Sequence, residues 1–463
     1  MATRPNIDNQ TQLAMFDAVA PTNTYWQRLK AGSKVAAKRW WDRTASRLPF
    51  LAKSKDDIGT PELQLFTSEA GQMADWYFKE FGSAEKPASV GEVPWDYVEE
   101  YQEEIPFFGL REYWYPALFS HELKHNEHKA VEMLGDNIVL FRDKDDSPCA
   151  LENRCPHRGP LLSLGQVNAW DVGTITCRYH GMTFDKHGEC VAFLSDGPDS
   201  PACGKVKAKS YPAEEVGGII WIYMGIKEPK PFLDSMPHAR EVLSDGVLVR
   251  NRMQVPYSYL NQLDNTVDMT HVGCLHRTCY LFGDQKMGGG VAFEELPGNG
   301  VYARLRKTGG HGGTKAIDDI RWFMPNLVHH GEEFMDGGVH GIYFWFVPDN
   351  AGSFTAWLIG SINDKKVGKT KAKFMATTLK RALQSDSLPG MACFVGGDAP
   401  MQMAQGRIAR WDKDYLARTD RAVIKVRNMM KAAHKAEQEL RKEAGLPPLA
   451  HPVSMKTQAD DRV

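Results

Sequence analysis

Cys155-Pro-His157-Arg-Gly159 and, from residue 177 onward, Cys177-Arg-Tyr-His180-Gly181 are the two segments on which the reading of this chain turns. Each arm offers one thiol and one imidazole and closes on a glycine. A [2Fe–2S] cluster whose first iron takes two thiolates and whose second takes two imidazoles needs that donor set. Replacing thiolate by neutral histidine raises the potential of such a cluster. The arms therefore predict an electron-accepting centre held by Cys155, Cys177, His157 and His180. Structural zinc is the competing reading, because two thiolates and two imidazoles also suit a tetrahedral ion. Zinc fingers, however, place Cys near Cys and His near His along the chain, whereas here each arm carries one of each.

A second constellation follows in Asp264-Asn265-Thr-Val-Asp268-Met-Thr-His271-Val-Gly273-Cys-Leu-His276. Two histidines and a carboxylate on one face of an iron form the triad of non-haem Fe(II) oxygenases, which leaves positions open for dioxygen and substrate. A lone histidine pair would be weak evidence, but a cluster that accepts electrons needs a destination. In an ideal α-helix, residues five apart point about 140° away from one another, so His271 and His276 cannot share a metal from a regular helix. The spacing predicts a π-bulge or a helix break with Gly273 at the irregular point. Asp268 stands three residues before His271, a helix-neighbour spacing suited to a carboxylate that accepts the free N–H of a metal-bound imidazole. A solvated helix carboxylate is the plainer alternative for it.

With these motifs the chain resembles the oxygenase (alpha) subunits of Rieske non-haem iron ring-hydroxylating and demethylating enzymes, over roughly residues 106 to 440. Its Asn265, Asp268, His271 and His276 run matches that family. Asp398-Ala-Pro-Met-Gln-Met-Ala-Gln405-Gly406-Arg407, followed by Thr419-Asp420, looks like the C-terminal pattern of its single-subunit, phthalate-dioxygenase-type branch. The resemblance implies Asp398 as the carboxylate ligand; spacing alone leaves Asp386, Asp412 and Asp414 open. It also implies ring-shaped trimers in which Asp268 bridges His271 to a Rieske histidine of the neighbouring subunit.

The fold class expected is α+β: an antiparallel β Rieske domain, then a catalytic domain whose antiparallel sheet is packed by helices in a helix-grip-like manner. The divisions expected are an extension at 1–105, the Rieske domain at 106–230, the catalytic domain at 231–445 and a tail at 446–463. Short alternating runs at Ala130–Leu134 and Ile138–Arg142, with a turn at Gly135-Asp136-Asn137, read as antiparallel strands. The two arms are expected on hairpin loops, with a closing strand near 217–224. Val339–Phe346 and Ser353–Ile362 read as catalytic strands. A long helix is expected from Asp420, capped by Thr419 and stopped by Gly445. Between helix and sheet, the glycine-rich runs 288–290, 298–300 and 309–313 are read as mobile loops or simple turns.

Composition bounds the rest. The chain has 463 residues, 25% of them charged, and a formal net charge of -2, which gives no reason to expect a nucleic-acid partner. No run is long and apolar enough for a membrane span, and MATRPNIDNQ lacks a secretory signal, so a cytoplasmic protein is expected. Of the eight cysteines, the six outside the arms read as small core residues with no disulfide framework. Residues 26–55 are basic and aromatic, a pattern that suits membrane-surface contact, a docking arm or a solvated helix. No Gly-x-Gly-x-x-Gly opens a helix after a strand, which excludes a built-in nucleotide-binding reductase domain.

The function expected is hydroxylation of an aromatic or heteroaromatic substrate with dioxygen at a mononuclear Fe(II), with NAD(P)H electrons arriving through a separate reductase or ferredoxin. A large apolar substrate such as a sterol or tetrapyrrole, oxidative demethylation, and a bare Rieske electron carrier are the alternatives. Arg321 is one candidate partner for a substrate carboxylate.

Overall fold

The computed structural model describes residues 104–236, 239–240, 243, 247–268, 270–271, 275, 291–296, 300–305, 319–330, 339–383, 398–406 and 408–449. The basic segment 26–55, Gly273, His276, Asp386, most of the glycine-rich runs and the last residues of the tail lie outside them.

The first part of the described chain contains β1 (Trp114–Phe119), β2 (Lys129–Met133), β3 (Asp136–Arg142), β4 (Pro148–Glu152), β5 (Gln166–Val167), β6 (Ile175–Thr176), β7 (Met182–Phe184), β8 (Cys190–Phe193), β9 (Ser210–Tyr211), β10 (Ala213–Val216) and β11 (Ile219–Tyr223). They form three small antiparallel sheets, ordered β1-β11-β10, β2-β3-β4-β9 and β5-β6-β7-β8. The β2–β3 turn falls at Leu134-Gly135, one residue earlier than expected. Both have positive φ, 51° and 77°, as a tight two-residue hairpin demands. Strand β11, Ile-Ile-Trp-Ile-Tyr, is buried along its whole length because it is central in its sheet and covered on both faces.

The second part builds one seven-stranded antiparallel sheet from β12 (Val247–Val255), β13 (Val291–Leu296), β14 (Gly300–Leu305), β15 (Asp319–Phe323), β16 (Leu327–His330), β17 (Val339–Asn350) and β18 (Ser353–Ile362). Its order is β12-β18-β17-β16-β15-β14-β13, so the two runs expected as catalytic strands pair with one another inside the sheet. The helix Tyr259–Val267 packs on β17 and β15, Lys369–Leu383 on β12 and β18, and the long helix Arg421–Glu443 on β13 and β14. No helix of the described residues is long and apolar enough to cross a membrane.

One core joins the two parts: Trp221 of β11 meets Trp345 of β17 edge to face, with ring centroids 5.3 Å apart. A second core gathers Ile105, Phe107, Phe108 and Leu110 with Tyr257, Leu260, Leu263, Val426 and Met430. Residues 105–110 thus belong by packing to the catalytic layer, although the expected boundary placed 106 onward in the Rieske domain.

The C-terminal helix begins at Arg421 with Asp420 as its N-cap residue, and Thr419 lies one position too early to cap it. Asp420 instead accepts the Ala417 N–H at 2.5 Å. Its end is as expected. Gly445 takes φ 67° and donates to the Lys442 carbonyl while Leu446 donates to that of Arg441, the paired bonds of a Schellman stop.

Candidate metal centres

The first arm does not sit on a hairpin. It leaves β4 and crosses toward β5, so it bridges two sheets, while the second arm is the β6–β7 hairpin loop itself. The two arms nevertheless repeat one local geometry. Gly159 donates to the Cys155 carbonyl and Gly181 to that of Cys177, both at 2.9 Å, while the Cys155 and Cys177 amides donate to Pro160 and Met182. Both glycines have positive φ, 89° and 73°, a conformation that turns the chain back behind each ligand pair.

This geometry brings all four predicted donors together as two like pairs. Cys155 and Cys177 are both buried, as neighbours in one apolar cluster. The His157 and His180 rings lie edge to face with centroids 4.7 Å apart. Among the described residues, no three His, Cys, Asp or Glu side chains converge on a point that would hold one ion. A tetrahedral zinc needs four donors around a single centre, whereas a [2Fe–2S] cluster needs a thiol pair and an imidazole pair set apart. The donors fit the cluster. His180 Nδ1 adds to this, being buried with no hydrogen-bond partner, as a ligand atom is before its metal arrives.

The electrostatics agree. Desolvation, the neighbouring His157 and Arg158 hold the His180 imidazole below its ordinary pKa, in the neutral form that ligates metal. Burial, with a contribution from Cys177, pushes the Cys155 thiol up to about 11, so loading the site must displace protons. The surface of the two arms mixes apolar and basic side chains: Leu161, Tyr179 and Leu194 are exposed, as are Arg158 and Arg178, and the Arg158 guanidinium lies 5.5 Å from the Tyr179 ring centroid.

At the second site the helix Tyr259–Val267 starts on Ser258, whose side chain accepts the Leu260 N–H, and ends at Asp268. The helix thus ends ahead of His271, and the break expected at Gly273 lies outside the described residues. His271 Nε2 stands 3.4 Å from Asp398 Oδ1. Two donors each about 2.1 Å from one metal and roughly at right angles are separated by about 3 Å, so this pair is spaced as co-ligands. Asp398 itself sits in a π-type turn that opens the helix Ala399–Ala404. Asp414 is held by Arg427 at 2.5 Å and Asp412 lies 3.5 Å from Arg410, so neither of these alternatives is directed to His271.

Asp268 acts differently from expectation. His271 Nδ1 is bonded to the Asp268 main-chain carbonyl at 2.5 Å, and the carboxylate is 4.0 Å away. That carboxylate accepts instead from Thr270, at its N–H (2.8 Å) and its hydroxyl (2.6 Å). The tautomer of His271 is thus fixed by the backbone where the helix ends. Burial lowers the His271 pKa, but Asp398 and Asp268 more than offset this and hold it above its usual value.

Two further side chains brace the carboxylate. Asn265 Nδ2 donates to Asp398 Oδ1 at 3.2 Å, and Gln402 Nε2 donates to Asn265 Oδ1 at 2.8 Å. Gln402 was not singled out from the sequence, although its place four residues after Asp398 is a helix-neighbour spacing. Behind them Arg427 grips Asp264 through Nε and Nη2, at 3.1 and 2.7 Å, and ties the helix Tyr259–Val267 to the C-terminal helix. Arg321, the candidate carboxylate partner, lies on β15 with its guanidinium 5.8 Å from the Tyr302 ring centroid.

Residues 113–212 match the model of the Rieske [2Fe-2S] domain family. Over 178 residues the chain is 34% identical to the 3-chlorobenzoate-3,4-dioxygenase oxygenase subunit of Comamonas testosteroni, covering 37% of this chain and 39% of that protein. It is 35% identical over 174 residues to chlorophyllide a oxygenase of Arabidopsis thaliana, 38% of this chain and 30% of the relative. A longer alignment, 345 residues at 28% identity, reaches the phenoxybenzoate dioxygenase subunit alpha of Ectopseudomonas oleovorans, 70% of this chain and 80% of that one. The first two matches thus span well under half of those relatives. In fold, the terminal oxygenase of carbazole 1,9a-dioxygenase from Nocardioides aromaticivorans IC177 superposes with a TM-score of 0.59 at 23% identity, over 71% of this chain and 96% of that one. Residues 113–212 thus carry a Rieske [2Fe-2S] domain, and the chain is similar in sequence to oxygenase (alpha) subunits of Rieske non-haem iron enzymes.

Proposed function

We propose that this chain is the oxygenase component of a Rieske non-haem iron system that hydroxylates an aromatic or heteroaromatic substrate with dioxygen. The observation that carries the reading is the approach of Asp398 to His271 at 3.4 Å, across 127 positions of sequence. An electron carrier needs the four Rieske donors but has no use for a second, buried imidazole–carboxylate pair. When loaded, the two centres supply stored electrons and an iron with open coordination positions for oxygen activation. This chain's residues hold them: Cys155, Cys177, His157 and His180 at one, His271, His276 and Asp398 at the other. Asn265 and Gln402 orient the carboxylate, and the Asp268 carbonyl fixes the His271 tautomer.

The exposed apolar and basic side chains beside His157 and His180 suit a transient protein contact, here with a reductase or ferredoxin that brings NAD(P)H electrons. A trimer in which Asp268 lies between His271 and a neighbouring subunit's cluster is part of the same proposal. The aromatic reading rests on the phenoxybenzoate relative, whose alignment runs through both parts of the chain. The chlorophyllide relative favours a tetrapyrrole as the second reading, but its 174 aligned residues are little more than a Rieske domain's worth of chain. Turnover with labelled dioxygen on a panel of ring acids, fused heteroaromatics and tetrapyrroles, alongside iron counts per chain, tests the proposal. Iron at the cluster alone, with no labelled product, would reduce the chain to a carrier.

A further inference from the structure

Cys190 and Cys203 belong to neither metal centre, yet they face one another. Cys190 opens β8 and is buried, while Cys203 sits partly exposed in the turns that follow. The two thiols are neighbours, and the Cys190 thiol donates to the Ala192 carbonyl at 3.5 Å. The main chain holds them there: Gly204 donates to the Cys190 carbonyl and Cys190 to that of Val206, both at 3.0 Å, and Cys203 donates to Ser200 at 3.2 Å. Ala202, Cys203 and Val206 pack on the apolar cluster that contains Cys190 together with the cluster ligands Cys155 and Cys177. Both sulfurs are free thiols. Gly204 has φ 72°, and a Cβ there would meet nothing within 4 Å, so the turn has room to adjust as two sulfurs close to bonding distance.

We propose that Cys190 and Cys203 form a reversible dithiol–disulfide site in the Rieske domain, oxidised by hydrogen peroxide. The partly exposed Cys203 sulfur attacks peroxide; the O–O bond breaks, one oxygen stays as a sulfenic acid and the other leaves as water. The Cys190 sulfur then attacks the sulfenic sulfur, the S–O bond breaks, and a second water leaves with the two thiol protons accounted for. Two electrons have passed from the sulfur pair to one peroxide. A dithiol reductant reverses the closure. The bond staples the Ser200–Val206 turns to the start of β8. The chain just past the other end of that strand braces the second arm, with Leu194 donating to the Gly181 carbonyl at 3.1 Å and Ser195 to that of His180 at 3.3 Å.

The experiment uses cluster-loaded protein, limiting peroxide, alkylation under denaturing conditions and tryptic mapping. Both cysteines fall on one tryptic segment, His187–Lys205, which contains no other cysteine. After peroxide the wild-type segment should lose both alkyl labels and weigh less by two hydrogens, and dithiothreitol should restore it. Cys203→Ser should leave Cys190 labelled after the same treatment, with cluster absorption equal to wild type. Full labelling of both cysteines after peroxide would overturn the proposal, as would a linkage from either one to Cys149, Cys155 or Cys177. So would oxidation that stops at separate sulfinic acids.

Discussion

Gly181→Ala probes the second Rieske arm at the point where its backbone and its packing constrain the same residue. Gly181 has φ 73°, and a Cβ there would lie 2.6 Å from Leu194 Cβ, 2.9 Å from Cγ and 3.0 Å from Cδ1. The left-handed backbone alone costs a non-glycine residue about 1–2 kcal/mol. Leu194 cannot swing clear, because its own N–H is bonded to the Gly181 carbonyl at 3.1 Å and its Cβ moves only with that backbone. Overpacking of this kind adds about 1–3 kcal/mol. Gly197 supplies the control, with φ 91° and nothing within 4 Å of a built Cβ, so Gly197→Ala carries the backbone cost without the clash. Denaturant unfolding of both variants, with cluster absorption per chain measured on the same samples, should separate them by about 1–3 kcal/mol. Gly181→Ala should also be poorer in cluster, since His180 is its chain neighbour and must shift with it. Equal midpoints and equal cluster content in the two variants would refute the argument that Leu194 and Gly181 lock the arm.

Asp398→Ala should remove the mononuclear iron and leave the cluster's visible absorption unchanged, and Asn265→Ala should weaken iron binding about 10- to 100-fold; loss of the cluster with iron retained would show that Asp398 is misassigned. His180→Cys should lower the cluster potential, because thiolate donates more charge than imidazole, and redox titration reads it directly. Burial raises the Glu437 carboxyl from 4.5 to about 7, although it accepts the Arg111 and Glu112 N–H groups at 2.9 and 2.8 Å. The folded chain then keeps a proton that the unfolded chain has released, so stability should fall by about 3 kcal/mol as pH rises through that window, and Glu437→Gln should flatten this part of a denaturation-midpoint profile. Mixing Cys155→Ser and Asp398→Ala chains and reassembling them should recover partial activity if electrons cross between subunits; confirmed hetero-oligomers with none would place transfer within one chain.

What could be read in the sequence follows from how narrowly chemistry limits the residues. The Rieske arms are legible because two thiols, two imidazoles and two glycines of positive φ are each required at a fixed place within a few residues. The antiparallel strands at 339–350 and 353–362 are legible from apolar, aromatic runs on either side of a short turn. Asp398 is a different case. Nothing local separates it from Asp386, Asp412 or Asp414, and only the resemblance singles it out; in the structure Arg427 pairs with Asp414 and Arg410 with Asp412, while Asp386 lies outside the described residues. The bond from His271 to a main-chain carbonyl was invisible for the same reason that Thr419 fails as a cap. Both depend on where a helix ends to within one residue, which side-chain spacing does not specify. The joint at Glu437 lies further still from any local signal. Its carboxylate meets two amides more than three hundred positions away, while Tyr259 donates to the Pro106 carbonyl at 2.6 Å and Ile105 to Leu110 pack beneath. These long-range contacts explain why the segment preceding the Rieske sheets packs with the catalytic sheet. By fixing the entry to β1 against the C-terminal helix, they set the position from which the Rieske arms are presented.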